Sequence, residues 1–142
     1  MARSKGAGLS EDLRVVENLS KGQITLISQQ EKNRQNAIAF YEMAYVGRPR
    51  EAVERYVGAE YIQHNPLVGD GKDAFIDYFE KMASEYPGKT IDFVRSVSEG
   101  DLVALHTHQT WPDGNEYVTM DFLRFDARGK IVEHWDAIQQ IP

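Results

Sequence analysis

The chain has 142 residues, a length that makes one domain and can bury a full core. A hydrophobic share of 42%, a charged share of 27% and a net charge of −6 suit an ordinary globular protein and offer nucleic acid no basic face. The absence of cysteine excludes disulfides, thiolate catalysis and cysteine metal sites and fits a cytoplasmic protein; no apolar run approaches the roughly 20 residues that span a bilayer.

The opening "MARSKGAGLSEDLRVV" carries basic residues with no apolar stretch behind them, so it does not read as a secretory signal. Residues 1–30 are expected to form an arm or short helix, with Leu9, Leu13, Val16 and Leu19 as a weak apolar stripe. Residues 31–142 are expected to form the domain. Asn18-Leu19-Ser20 matches a glycosylation triplet, which also arises by chance. In "SQQE", Ser28 and Glu31 have the spacing of a capping box. Ala37, Ile38, Tyr41, Ala44 and Tyr45 then recur at helical spacing until Gly47. "GRPREAVERYVG" predicts a second helix, with Pro49 in its first turn and Gly58 as its stop. "AEYIQHNP" is short and extended and is ended by Pro66. "GDGKDAFIDYFEKMASEYPG" predicts a third helix with Phe75, Phe79 and Met82 turned inward; its "GDGK" lacks the spacing of a phosphate loop.

From Lys89 the period changes from helical to alternating. "TIDFVRSVSE", "DLVALHTHQTW", "NEYVTMDFLRFD" and "KIVEHWDAIQ" predict four strands, separated by turns at Gly100-Asp101, Pro112-Asp113-Gly114 and Arg128-Gly129. Helices followed by consecutive strands predict an α+β domain with three helices packed on one face of a curved antiparallel sheet.

A two- or four-residue loop at Asp113-Gly114 sets His106 opposite Asp121, and an even loop around residues 127–130 sets Asp121 opposite Asp136. His106, His108, Asp121, His134 and Asp136 then share one face, interleaved with Ala104, Leu123 and Ile138. Val103, Leu105, Val118, Met120, Phe122, Trp111 and Trp135 take the other. The polar face is either the solvent side of the sheet or the lining of a pocket closed by the helices. Within a pocket, neighbouring carboxylates would push one pKa upward, leaving one proton donor and one acceptor. Tyr41, Tyr45, Tyr56 and Phe79 read as core residues, with one of them at the rim of the pocket. His64 points away from Asn65 and reads as structural.

Three helices, a short strand ending in "HNP" and a meander ending in "DFLRFDARGKIVEHWD" resemble the nuclear-transport-factor-2-like cone fold, and within it the SnoaL-like polyketide cyclases. The resemblance covers residues from about 32 to 140, and the last hairpin is its specific part. It implies a general acid/base at Asp136, two residues after His134, and a pocket residue at Asn65. Related ketosteroid isomerases carry a protonated Asp before "RFD", which falls on Asp121. Their catalytic base falls on Asn65, and an amide is no base, so the resemblance does not extend to a steroid-isomerase mechanism. Limonene-epoxide hydrolases share the fold but need an Asp-Arg-Asp set, and Arg124 falls on the wrong face for it.

The reading that follows is a cofactor-independent enzyme acting beside a carbonyl of a small hydrophobic molecule, by aldol-type cyclisation, isomerisation or dehydration. Asp136 would be the base; Asp121 or His106 would meet the enolate oxygen, and His134 and His108 would tune them. Asn65, His108, Thr119, Leu123, Ile138 and Tyr41 would contact the substrate. Two alternatives are a non-catalytic dimeric binding module and a metal centre built from His106, His108 and His134 or His64 with a carboxylate. No cofactor is required. The apolar outer face, with Trp135 and Trp111, predicts a sheet-to-sheet homodimer.

Overall fold

A computed structural model describes residues 13–18 and 23–142, with side chains from residue 27 onward. Strands β1 (Leu13–Asn18) and β2 (Gln23–Ser28) pair antiparallel as a two-stranded ribbon. Within the segment read as an arm or short helix, Leu13 and Val16 therefore lie on a strand; Leu9 and Leu19 lie outside the described residues. Helix α1 (Gln29–Tyr45) begins where the Ser28 hydroxyl accepts the Glu31 backbone N–H at 3.1 Å. The Glu31 carboxylate turns to Arg34 instead of closing the capping box. Helix α2 (Pro49–Tyr56) starts with proline, whose fixed φ and missing N–H suit a first turn. Strand β3 (Val57–Gln63) and helix α3 (Lys72–Glu85) follow.

Strands β4 (Thr90–Glu99), β5 (Leu102–Thr110), β6 (Glu116–Phe125) and β7 (Ile131–Ile141) form the meander. The sheet order is β3-β7-β6-β5-β4. All neighbours run antiparallel except β3, which adds to β7 in parallel and makes the sheet mixed. Three helices against this curved sheet give the cone architecture of the nuclear-transport-factor-2-like fold. Among the described residues, no helix is long and apolar enough to cross a membrane.

The β5–β6 register differs from the expected one by a single residue. Thr110 pairs with Glu116 and His106 with Met120, while Leu105 stands opposite Asp121. Gly114 N–H bonds to the Trp111 carbonyl at 3.0 Å, and Trp111 N–H bonds to the Asn115 carbonyl at 3.0 Å. Gly114 has φ +85°, so Pro112, Asp113 and Gly114 form a three-residue turn with glycine in the left-handed region. An odd loop replaces the even one, and a one-residue slip exchanges the faces of β5. Val103, Leu105, Thr107 and Gln109 turn inward and are buried; Ala104, His106 and His108 turn outward.

The second hairpin reaches its expected pairing by another route. Gly129, at φ +77°, closes a three-residue loop against Asp126, which would shift the register. Phe125 pairs with Ile131 but Arg124 with Glu133, so a bulge at Val132 restores it. Asp121 therefore stands opposite Asp136.

The inner face packs Val103, Leu105, Leu123, Phe125 and Ile131 against Ala37, Phe40 and Ala44 of α1, Ala52 and Val53 of α2, and Phe75, Ile76 and Phe79 of α3. Leu123 is fully enclosed in this core. Near the open end of the cone, the inner face changes from aliphatic to polar.

Candidate functional site

At that end a cavity of about 240 Å³ lies between the helices and the sheet. Tyr41 and Tyr45 reach it from α1, Tyr78 and Phe79 from α3, and Gln63 and Asn65 from the end of β3 and the residues after it. The sheet contributes Gln109, Tyr117, Thr119, Asp121, His134, Asp136 and Ile138, and Lys89 and Trp111 complete the wall. Alternation along β6 and β7 explains the sheet's share: residues two apart face the same side, and Asp121 and Asp136 are cross-strand partners.

Asp121 and His134 are 5% and 3% exposed, a burial that ionisable groups tolerate only with full hydrogen bonding. They have it. Asp121 Oδ1 accepts from the Tyr41 hydroxyl at 2.9 Å, and Oδ2 accepts from the Thr119 hydroxyl at 2.5 Å. Thr119 in turn meets the buried Thr107 hydroxyl at 2.5 Å. His134 Nε2 lies 2.9 Å from Asp121 Oδ1 and 2.7 Å from the Tyr41 hydroxyl. Among the described residues, no buried side-chain polar atom lacks a partner.

The protonation of His134 follows from its neighbours. Gln63 Oε1 accepts the Asn65 backbone N–H at 3.1 Å, so the amide presents oxygen, not nitrogen, to His134 Nδ1 at 2.7 Å. An amide oxygen only accepts, and Nδ1 must carry a hydrogen. Nε2 faces both Asp121 Oδ1 and the Tyr41 hydroxyl: with a hydrogen it donates to the carboxylate, and without one it accepts from the tyrosine. The Tyr41 hydroxyl stays a donor, because burial first and the Asp121 charge second push its pKa well above the usual phenol range.

Asp136 is placed differently. Its Oδ2 accepts from Asn65 Nδ2 at 2.9 Å, and Asn65 Oδ1 accepts the Leu67 backbone N–H at 2.8 Å, which orients the amide. Half-burial raises the Asp136 pKa above the ordinary carboxylate value, and the nearby Asp121 charge adds to this. The Asn65 hydrogen bond and His134 pull it back in part. One carboxylate is thus saturated with donors, and the other has a single side-chain donor and faces the cavity.

Of the residues expected in the site, Asp136, Asp121, His134, Asn65, Thr119, Ile138 and Tyr41 line this cavity together. His106 and His108 do not. The slipped register turns them to the outer face, where His106 lies 3.0 Å from Arg95 and His108 lies 3.3 Å from Glu116. Leu123 is core rather than lining. Trp111, expected outside, lines the cavity, whereas Trp135 lies outside as expected and stacks on His64. His64 pairs with Glu133 at 2.9 Å, in keeping with a structural role.

A centre combining His106 and His108 with His134 is ruled out by their opposite faces. Asp121, His134 and Asp136 each offer a ligand atom within 4.8 Å of the others, but a metal there would displace the direct bonds of Asp121 to Tyr41 and His134. Sequence reasoning missed Gln63 and Lys89. The alternation of "YIQHN" did put Gln63 and Asn65 on one side, a usable signal; the position of Lys89 left none.

Among solved structures, the chain resembles TsrD from Streptomyces laurentii, at 20% identity and TM-score 0.65 over 75% of this chain and 88% of that one. It also resembles a candidate polyketide cyclase from Bacillus cereus ATCC 10987, at 18% identity and TM-score 0.68 over 77% and 75%. A third relative is IdmH, a candidate polyketide cyclase from Streptomyces antibioticus, at 19% identity and TM-score 0.66 over 75% and 91%. At such identities the likeness establishes the fold alone. No curated protein sequence matches. The family model of the SnoaL-like domain matches residues 37–134, and the chain belongs to that family.

Proposed function

We propose that this protein is a cofactor-independent acid/base enzyme that acts next to a carbonyl of a small hydrophobic molecule. The observation that carries the reading is Asp136: a half-buried carboxylate with a raised pKa, oriented by Asn65 and facing a cavity lined by aromatic and polar side chains. Such a group is a stronger base than a hydrated carboxylate. Asp136 removes a proton from the carbon α to the carbonyl, and the C–H electron pair moves into the enolate. The cluster of Asp121, His134 and Tyr41 faces the oxygen and donates a hydrogen bond to it as negative charge develops there. The enolate then takes the proton back from Asp136 at another carbon, or its carbon attacks a second carbonyl, whose oxygen takes that proton from Asp136. Neither route requires an oxidant or reductant. Isomerisation and aldol-type cyclisation are therefore the reactions this arrangement suits.

The test is α-proton exchange in D₂O, with 2-tetralone as the probe and mass spectrometry as the readout. Wild type accelerates exchange. Asp136→Asn keeps the shape, removes the base and lowers the enzymatic rate by about 10²–10⁴-fold. Wild-type exchange by that variant would overturn the assignment.

We further infer a homodimer, formed sheet against sheet. The outer face exposes Val97 on β4 and Met120 and Phe122 on β6, large apolar groups on either side of β5 that a second copy would cover. The cysteine-free composition is in keeping with a cytoplasmic location.

A further inference from the structure

Lys89 stands between α3 and β4, half-buried, in the wall of the cavity. Its Nζ lies over two aromatic faces, 4.7 Å from the Tyr45 ring centroid and 4.2 Å from that of Trp111. With Tyr45 and Phe79 it also lines a second cleft of about 380 Å³, so it occupies the wall that the two spaces share. Among the described residues, no carboxylate pairs with it. Burial alone lowers its pKa, to about 8, with no counter-charge offsetting the loss of water.

A lysine on a surface usually extends its ammonium into solvent. This one exchanges part of its hydration for ring faces, which stabilise a cation without neutralising it. Such a cation gains more from an incoming anion than a hydrated one does, because less water must be removed to form the pair. The cavity also has a polarity: carboxylates, His134 and Asn65 in one part, an unpaired cation among rings in another. Tyr78, Phe79, Trp111 and Tyr117 supply flat apolar surface within it.

We propose that Lys89, set on Tyr45 and Trp111, anchors a carboxylate of the ligand, so that the protein takes a flat apolar acid that also bears the reacting carbonyl. The proposal rests on the cavity being the ligand site and is independent of which reaction follows.

The test is calorimetric titration of the full chain with 2-naphthoate and with its neutral counterpart 2-acetonaphthone, at pH 7. Wild type binds the carboxylate at least about tenfold more tightly than the ketone. Lys89→Met, which keeps the length of the stem, loses that preference, while Lys89→Arg retains it. The preference also declines as pH rises above about 8, where the amine loses its proton. Ketone binding without a preference for the carboxylate, or a preference that survives in Lys89→Met, overturns the role of Lys89 and leaves the cavity as the site. Failure of both compounds to bind overturns the two readings together.

Discussion

Tyr41→Phe isolates one hydrogen bond in the buried cluster. The ring stays, so packing against Phe40 and Tyr45 is preserved, and only an oxygen-sized space opens. What is lost is the Tyr41 hydrogen bond to Asp121, leaving Thr119 and the contact with His134 to satisfy a 5% exposed carboxyl group. Hydrogen bonds to charged groups contribute about 1.5–3 kcal/mol. For a domain of this size that lowers the melting temperature by roughly 3–12 °C. Tyr61→Phe is the matched control: Tyr61 is equally buried, but its hydroxyl accepts only from the Gln63 amide at 3.2 Å. A neutral bond of that kind contributes about 0.5–1.5 kcal/mol. Urea unfolding of both variants should rank Tyr41→Phe as the more damaging. A double-mutant cycle with Asp121→Asn should return a coupling of about 1 kcal/mol or more, because the tyrosine acts through the carboxylate. Additive effects, or a Tyr41→Phe loss below about 0.5 kcal/mol, would refute the view that this hydroxyl supports a buried charge.

Two further outcomes follow from the same geometry. Burial raises the folded-state pKa of Asp136 above its unfolded value of 3.8, so the stability from its protonated form is complete below about that pH and disappears as pH rises through the folded pKa. Asp136→Asn should therefore be more stable than wild type at pH 7.5, with the advantage shrinking toward pH 4; urea unfolding at both values checks this, and a pH-independent difference contradicts it. On the outer face, Phe122→Lys should give monomers by light scattering while leaving 2-tetralone exchange measurable. A dimer that persists in this variant places the contact elsewhere.

Most of the elements were legible along the chain. Ser28 before a helical stripe, Pro49 in a first turn and the alternation of four segments after Lys89 are local signals, and local energetics decide them. The shared face of Asp121, His134 and Asp136 was legible for a related reason: they lie on adjacent strands whose pairing held, and a two-residue period then puts them on one side.

What the chain left undecided was how strands and crossovers meet. The turn at Trp111–Asn115 could be read with an even loop, but the left-handed Gly114 closes an odd one, and that single residue sends His106 and His108 outward and brings Val103 and Leu105 in. The two aliphatic residues were a hint, since burying them is worth more than burying imidazoles. Gln63 reaches His134 only because β3 adds in parallel to β7, and Lys89 meets Tyr45 and Trp111 only when α1 closes over the end of β5. Contacts between distant segments depend on the summed packing of the whole domain. The sequence by itself therefore determined which acids share a face; tertiary structure decided which of them is saturated, which keeps a side open to the cavity, and which cation stands beside them.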